Sequence, residues 1–145
     1  MTSNSPRHRP IAALLCAALL ATGLAACGTS TTSTSSFHGE QQQVAKAVAR
    51  LQSHATALEA KKICGEDLAA ARVAQLEHTS GGCKKALESQ LKQIDNFDVT
   101  VESVTIVHAG KSATARVKGT YGGKQAIQTL TFVRERGLWR ASGVL

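Results

Sequence analysis

At Asp95-Asn96 the spacing of apolar residues changes from about 3.6 to 2, so this chain has to fold with helices first and a sheet second. Upstream, Val44, Val48, Leu51, Ala55 and Leu58 fall at spacings of 4, 3, 4 and 3 and draw one stripe along a helix over residues 41–60. Ala45, Ala47, Ala49 and Ala57 add intrinsic helix propensity. Lys61-Lys62 suits the negative end of that helix. After Ile63-Cys64-Gly65, Glu66 and Asp67 are expected to open a second helix, with Leu68, Ala71 or Arg72, and Leu76 as its apolar side. His78-Thr79-Ser80-Gly81-Gly82 reads as a loop, and a third helix is expected from Cys83 to Ile94.

Downstream, Phe97, Val99 and Val101 alternate, and Val104 and Ile106 continue in the opposite phase. That one-residue slip predicts a bulge or sharp bend near Glu102-Ser103. Ala113, Ala115, Val117 and Gly119 mark a second strand, and residues 125–134 a third, with Ile127, Leu130 and Phe132 expected inward. Glu135-Arg136-Gly137 turns into a last strand over residues 138–144, which carries the lone tryptophan, Trp139. The expected class is α+β: three N-terminal helices packed on a bent four-stranded antiparallel meander.

The leading amphipathic helix, the bent strand at 97–107 and the ending Gln128-Thr129-Leu130-Thr131-Phe132-Val133-Arg134-Glu135-Arg136-Gly137-Leu138-Trp139-Arg140 together resemble the nuclear transport factor 2-like (cystatin-like, α+β cone) superfamily. The resemblance covers residues 40–145. It implies a conical cavity between sheet and helices, which some members use for isomerase, dehydratase or epoxide hydrolase chemistry and others for binding.

The first 26 residues read as an address. Arg7, His8 and Arg9 precede an apolar run from Ile11 to Ala21, the proportions of a secretory signal. A membrane-spanning helix needs roughly 20 apolar residues, more than this run provides. Leu24-Ala25-Ala26-Cys27 then resembles the lipobox of bacterial lipoproteins, in which the Cys thiol receives a diacylglyceryl group and the signal is cut just before it. The competing reading is a cleaved secretory signal with an incidental Cys27. The lipobox resemblance implies lipidation at Cys27 and a home on the extracytoplasmic face of a cell membrane. Two acyl chains give stable anchoring where one gives marginal binding. The domain plan follows: 1–26 signal peptide, 27–39 lipidated Cys and disordered Ser/Thr-rich tether, 40–145 a single α+β domain. As a coil, residues 28–38 would span on the order of 18 Å.

Of four cysteines, Cys16 then leaves with the signal and Cys27 carries lipid. Cys64 and Cys83 remain in an oxidising compartment, and a disulfide is their expected state. The Gly-Gly before the second Cys also resembles small bacterial lipoproteins of this group. The rival is a metal site of Cys64, Cys83 and His78, which lacks a C-x-x-C pair and a fourth ligand at useful spacing.

Lys and Arg number 17 against 10 acidic residues, and Arg7 and Arg9 go with the signal. The remaining excess is mild and spread out. It suits a solvated surface, or contact with anionic lipid or cell-wall polymer beneath the anchor. Without interleaved aromatics for base stacking, nucleic acid is not an expected partner.

His54, Tyr121 and Trp139 are the candidate cavity-lining residues. His54 borders the first helix stripe but has no carboxylate partner legible in the sequence. Nucleophile-elbow, zinc-protease and phosphate-loop motifs are absent from the sequence, and no catalytic, metal or cofactor residue is assigned. The expected function is therefore binding: a small apolar ligand or an envelope protein, on a membrane tether, with a homodimer admitted. The alternative is an isomerase or hydrolase centred on His54 or Tyr121.

Overall fold

The computed structural model describes residues 34–94, 97–121 and 124–144, the side chain of Tyr121 excepted. The signal, Cys27 and most of the tether lie outside the described residues.

The first helix, α1 (Gly39–Thr56), buries Val44, Ala45, Ala47, Val48 and Ala55. Its stripe ends there. Leu58 takes a left-handed conformation (φ 57°) and stands 57 % exposed, so the chain leaves the helix one turn earlier than the stripe suggests. Ahead of α1, Phe37 packs against the core and its amide donates to the Thr34 carbonyl. The end of the Ser/Thr-rich segment is thus engaged with the domain.

A short helix α2 (Ala60–Lys62) runs into a π-helical turn over Ile63–Asp67. This corrects the expectation that Glu66 and Asp67 open the next helix. They close the π-turn instead, and α3 (Ala70–Glu77) begins three residues after Asp67. The anion at the start of α3 comes from across the fold: the Ala70 amide donates to both carboxylate oxygens of Glu135, at 3.1 and 3.2 Å. Between turn and helix, Leu68 forms a parallel bridge to Ala141, and the Ala69 amide donates to the Ala141 carbonyl at 2.8 Å. The last helix, α4 (Gly82–Leu91), is joined by a Cys64–Cys83 disulfide to the π-turn, with α3 enclosed in the bridged loop.

The strands β1 (Val99–Val107), β2 (Ser112–Tyr121), β3 (Lys124–Glu135) and β4 (Leu138–Val144) form one antiparallel sheet in the order β1-β2-β3-β4. The register shifts in β1 between Val101 and Ser103, where the phase slip in the sequence falls. That bulge turns Val99, Val101 and Val104 to the same side. A second shift lies between Thr131 and Phe132, opposite Ser142. Arg136 and Gly137 both have positive φ (50° and 81°), the conformation of a two-residue hairpin whose twist matches its strands.

One face of the sheet meets α1. Ala113 and Ala115, both fully buried, let the helix approach the centre of the sheet, where Val44 and Val48 pack among Val117, Phe132 and Trp139. Ile127, expected inward, is 51 % exposed. Leu130 and Phe132 set the inward parity of β3, and Ile127 has the opposite parity. The result is an α+β domain with its helices on one side of an antiparallel meander.

Candidate functional site

Between the helical layer and the sheet lies a cavity of about 490 Å³. It exists because α4 packs chiefly on α2 and α3 and is tied by the disulfide to the π-turn, while α1 makes most of the helix contact with the sheet, on β1, β4 and β2. A second apolar cluster, Ala55, Ala60, Ile63 and Leu91, holds these short helices together apart from the main core. The cavity opens between the two clusters. Leu51, Ala55, Ile63, Leu76, Leu87 and Leu91 line its helical side. Phe97, Val99, Val117, Leu130 and Ala141 line its sheet side. Three polar side chains reach it: Arg72, Gln90 and Gln128. Arg72, Gln90 and Val144 are exposed and so mark its mouth.

Beside this cavity sits a buried charged cluster. Asp67 is 2 % exposed and is the buried charged side chain among the described residues. Arg50 Nε donates to its Oδ1 at 2.6 Å, and His54 Nδ1 lies 2.7 Å from its Oδ2. Arg50 also donates through Nη2 to the carbonyls of Glu66 and Trp139, both at 3.3 Å. The far ring nitrogen of His54, Nε2, lies 4.0 Å from the Glu59 carboxylate. The carboxylate partner of His54 that the sequence did not disclose is therefore Asp67, which was expected to open the second helix. A usable signal existed: Arg50 and His54 are four apart and share a helix face, so a buried acid between them satisfies both.

The cluster serves the fold. It pins α1, the π-turn and β4 at one point, and every buried side-chain nitrogen and oxygen among the described residues has a hydrogen-bond partner. His54 is not among the cavity-lining residues. Trp139 is also outside the cavity: its ring belongs to the main core and its Nε1 donates to Glu40 Oε2 at 3.0 Å. Arg134 pairs with the other oxygen of Glu40 at 2.7 Å and lies 6.0 Å from the Trp139 ring centroid. Two of the three expected cavity residues thus sit in polar networks at the ends of α1, and the cavity itself is walled by apolar residues of α1, the π-turn, α3, α4 and the sheet. The backbone of Tyr121 ends β2, opposite Lys124. Cys64 and Cys83 are bonded to each other, which removes them as metal ligands, and among the described residues no group of three His, Cys, Asp or Glu is placed to hold a metal ion.

No family model matches the chain, and no curated protein matches it. Among solved structures, it is similar to a variant of Rd1NTF2_05, a designed nuclear transport factor 2-like protein, at 17 % identity over 70 % of this chain and 93 % of that one, with a TM-score of 0.46. The α+β assignment rests on the strand order and the one-sided helical layer. Among the described residues no helix is long and apolar enough to cross a membrane.

Proposed function

We propose that this domain binds a small apolar ligand in the cavity between its helices and sheet, and does so at a membrane surface through lipid on Cys27. The observation that carries the reading is the cavity of about 490 Å³, within the size range of small-molecule sites, whose wall is apolar apart from Arg72, Gln90 and Gln128. A wall of that kind favours burial of an apolar ligand in proportion to the area it removes from water. The membrane part rests on the lipobox resemblance at Leu24-Ala25-Ala26-Cys27.

The isomerase or hydrolase alternative needs a titratable pair facing the cavity. The His54–Asp67 pair has the composition of such a dyad, but His54 does not line the cavity. Arg72 is the ionisable residue that does, and guanidinium is too basic to exchange protons near neutral pH. Binding is the better-supported reading.

The test is native mass spectrometry of the protein extracted from its own membrane, compared with a Leu87→Trp variant that fills the cavity. A bound small molecule retained by the wild type and lost from the variant is the expected result. An empty protein that also fails to take up apolar probes would overturn the reading.

A further inference from the structure

The ionisable side chain at the cavity is a cation that meets no anion among the described residues. Arg50, Arg116, Arg134 and Arg140 each meet a carboxylate within 4.0 Å. Arg72, on α3, instead donates through Nη1 to the neutral Gln75 Oε1 at 3.0 Å. Among the described residues no carboxylate lies within ion-pair distance of it. It is exposed, and it belongs both to the solvent and to the cavity lining. Inward of it the wall passes to Leu76, Leu87 and the buried Val99 and Val117 of the sheet. Charge at the mouth and aliphatic surface within is the complement of an amphiphile.

We propose that the ligand is a single-chain carboxylate amphiphile, its apolar tail in the cavity and its carboxylate on the guanidinium of Arg72. This rests on the binding reading above and names the ligand's class. One guanidinium at the mouth balances one negative charge. Its planar fork matches a carboxylate in two parallel hydrogen bonds, and Gln75 engages only Nη1. A cationic head would be repelled there. A neutral alcohol would use the cavity but leave the guanidinium without an ion partner.

The experiment is titration calorimetry of decanoate and decanol against the mature chain, residues 27–145 with Cys27→Ser, which lacks both the apolar signal run and the lipid acceptor and so needs no detergent. The same titrations are run on Arg72→Gln, with thermal melting to confirm that this exposed substitution leaves the fold intact. Decanoate is expected to bind about threefold more tightly than decanol, the scale of an ion pair at a solvent-exposed guanidinium. Arg72→Gln should abolish that preference. Equal binding of the two by the wild-type side chain, or a preference that survives Arg72→Gln, overturns the carboxylate assignment and leaves the apolar cavity standing. Binding of neither probe overturns the cavity reading, and this inference with it.

Discussion

His54 Nδ1 and Asp67 Oδ2 meet at 2.7 Å although the residues are 13 apart in sequence and lie in different elements. With Arg50 on its other oxygen, Asp67 holds the π-turn against α1, and the π-turn carries Cys64. Replacing Asp67 by Ala leaves two cationic or hydrogen-bonding side chains facing an apolar gap. The expected loss is about 3 kcal/mol, the lower end for a broken buried pair because Arg50 retains some solvent contact. Asp67→Asn keeps hydrogen-bonding atoms in place and should cost about half as much. Urea unfolding at neutral pH measures both. Equal midpoints for wild type and Asp67→Ala would show that the cluster is not a structural tie.

The Cys64–Cys83 bridge closes a loop of sequence separation 19 around α3. Its removal by Cys64→Ala with Cys83→Ala should cost roughly 3 kcal/mol through the freed entropy of the unfolded chain. The effect should also be local. Amide exchange is expected to rise in α3 and α4, which form one side of the cavity, and to stay unchanged at the centre of β2 and β3. Uniform loss of protection across the sheet would argue against this division.

The parity of β3 gives a paired test. Phe132 is buried in the main core, and Phe132→Ala should destabilise by about 3–5 kcal/mol. Ile127 lies on the open face, paired with Lys118, and Ile127→Thr should stay within about 0.5 kcal/mol. Thermal melts of the two variants side by side decide it. A large loss at Ile127 would place a partner on the open face of the sheet.

Glu40 joins the first turn of α1 to the β3–β4 hairpin through Trp139 Nε1 and Arg134. The ion pair is exposed and contributes little. The indole hydrogen bond is part-buried, and its loss matters more. Glu40→Ala should therefore cost about 1–2 kcal/mol, and Glu40→Gln, whose amide oxygen still accepts from the indole, less than about 1 kcal/mol. Because Trp139 is the lone tryptophan, its emission reports the site directly. A spectral change in Glu40→Ala and not in Glu40→Gln is expected.

The anchor is tested by Cys27→Ala. Without the thiol no diacylglyceryl group can be added, and the protein should lack the mass of its acyl chains. Retention on the membrane with unchanged mass would refute the lipid-anchor proposal.

Local periodicity determined much of this protein by itself. The 3.6-residue stripe placed α1, alternation together with turn residues placed the four strands, and the phase slip placed the bulge in β1. All of these depend on residues a few positions apart, where chain geometry alone decides which side chains share a face. Cysteine counting placed the disulfide, because few thiols remained to pair. Tertiary structure decided the rest. Asp67 was legible as a helix-start anion, and only the folding of α1 beside the π-turn made it the buried partner of Arg50 and His54. Glu135 took over the helix-start role from 65 residues away. Ile127 was legible too: three residues before Leu130, it falls out of phase with Leu130 and Phe132, and alternation by itself sends it to the other face. The cavity is the clearest case. Its wall is drawn from α1, the π-turn, α3, α4 and all four strands, and its size is set by how far the disulfide-tied helices stand from the sheet, a distance that no local pattern encodes.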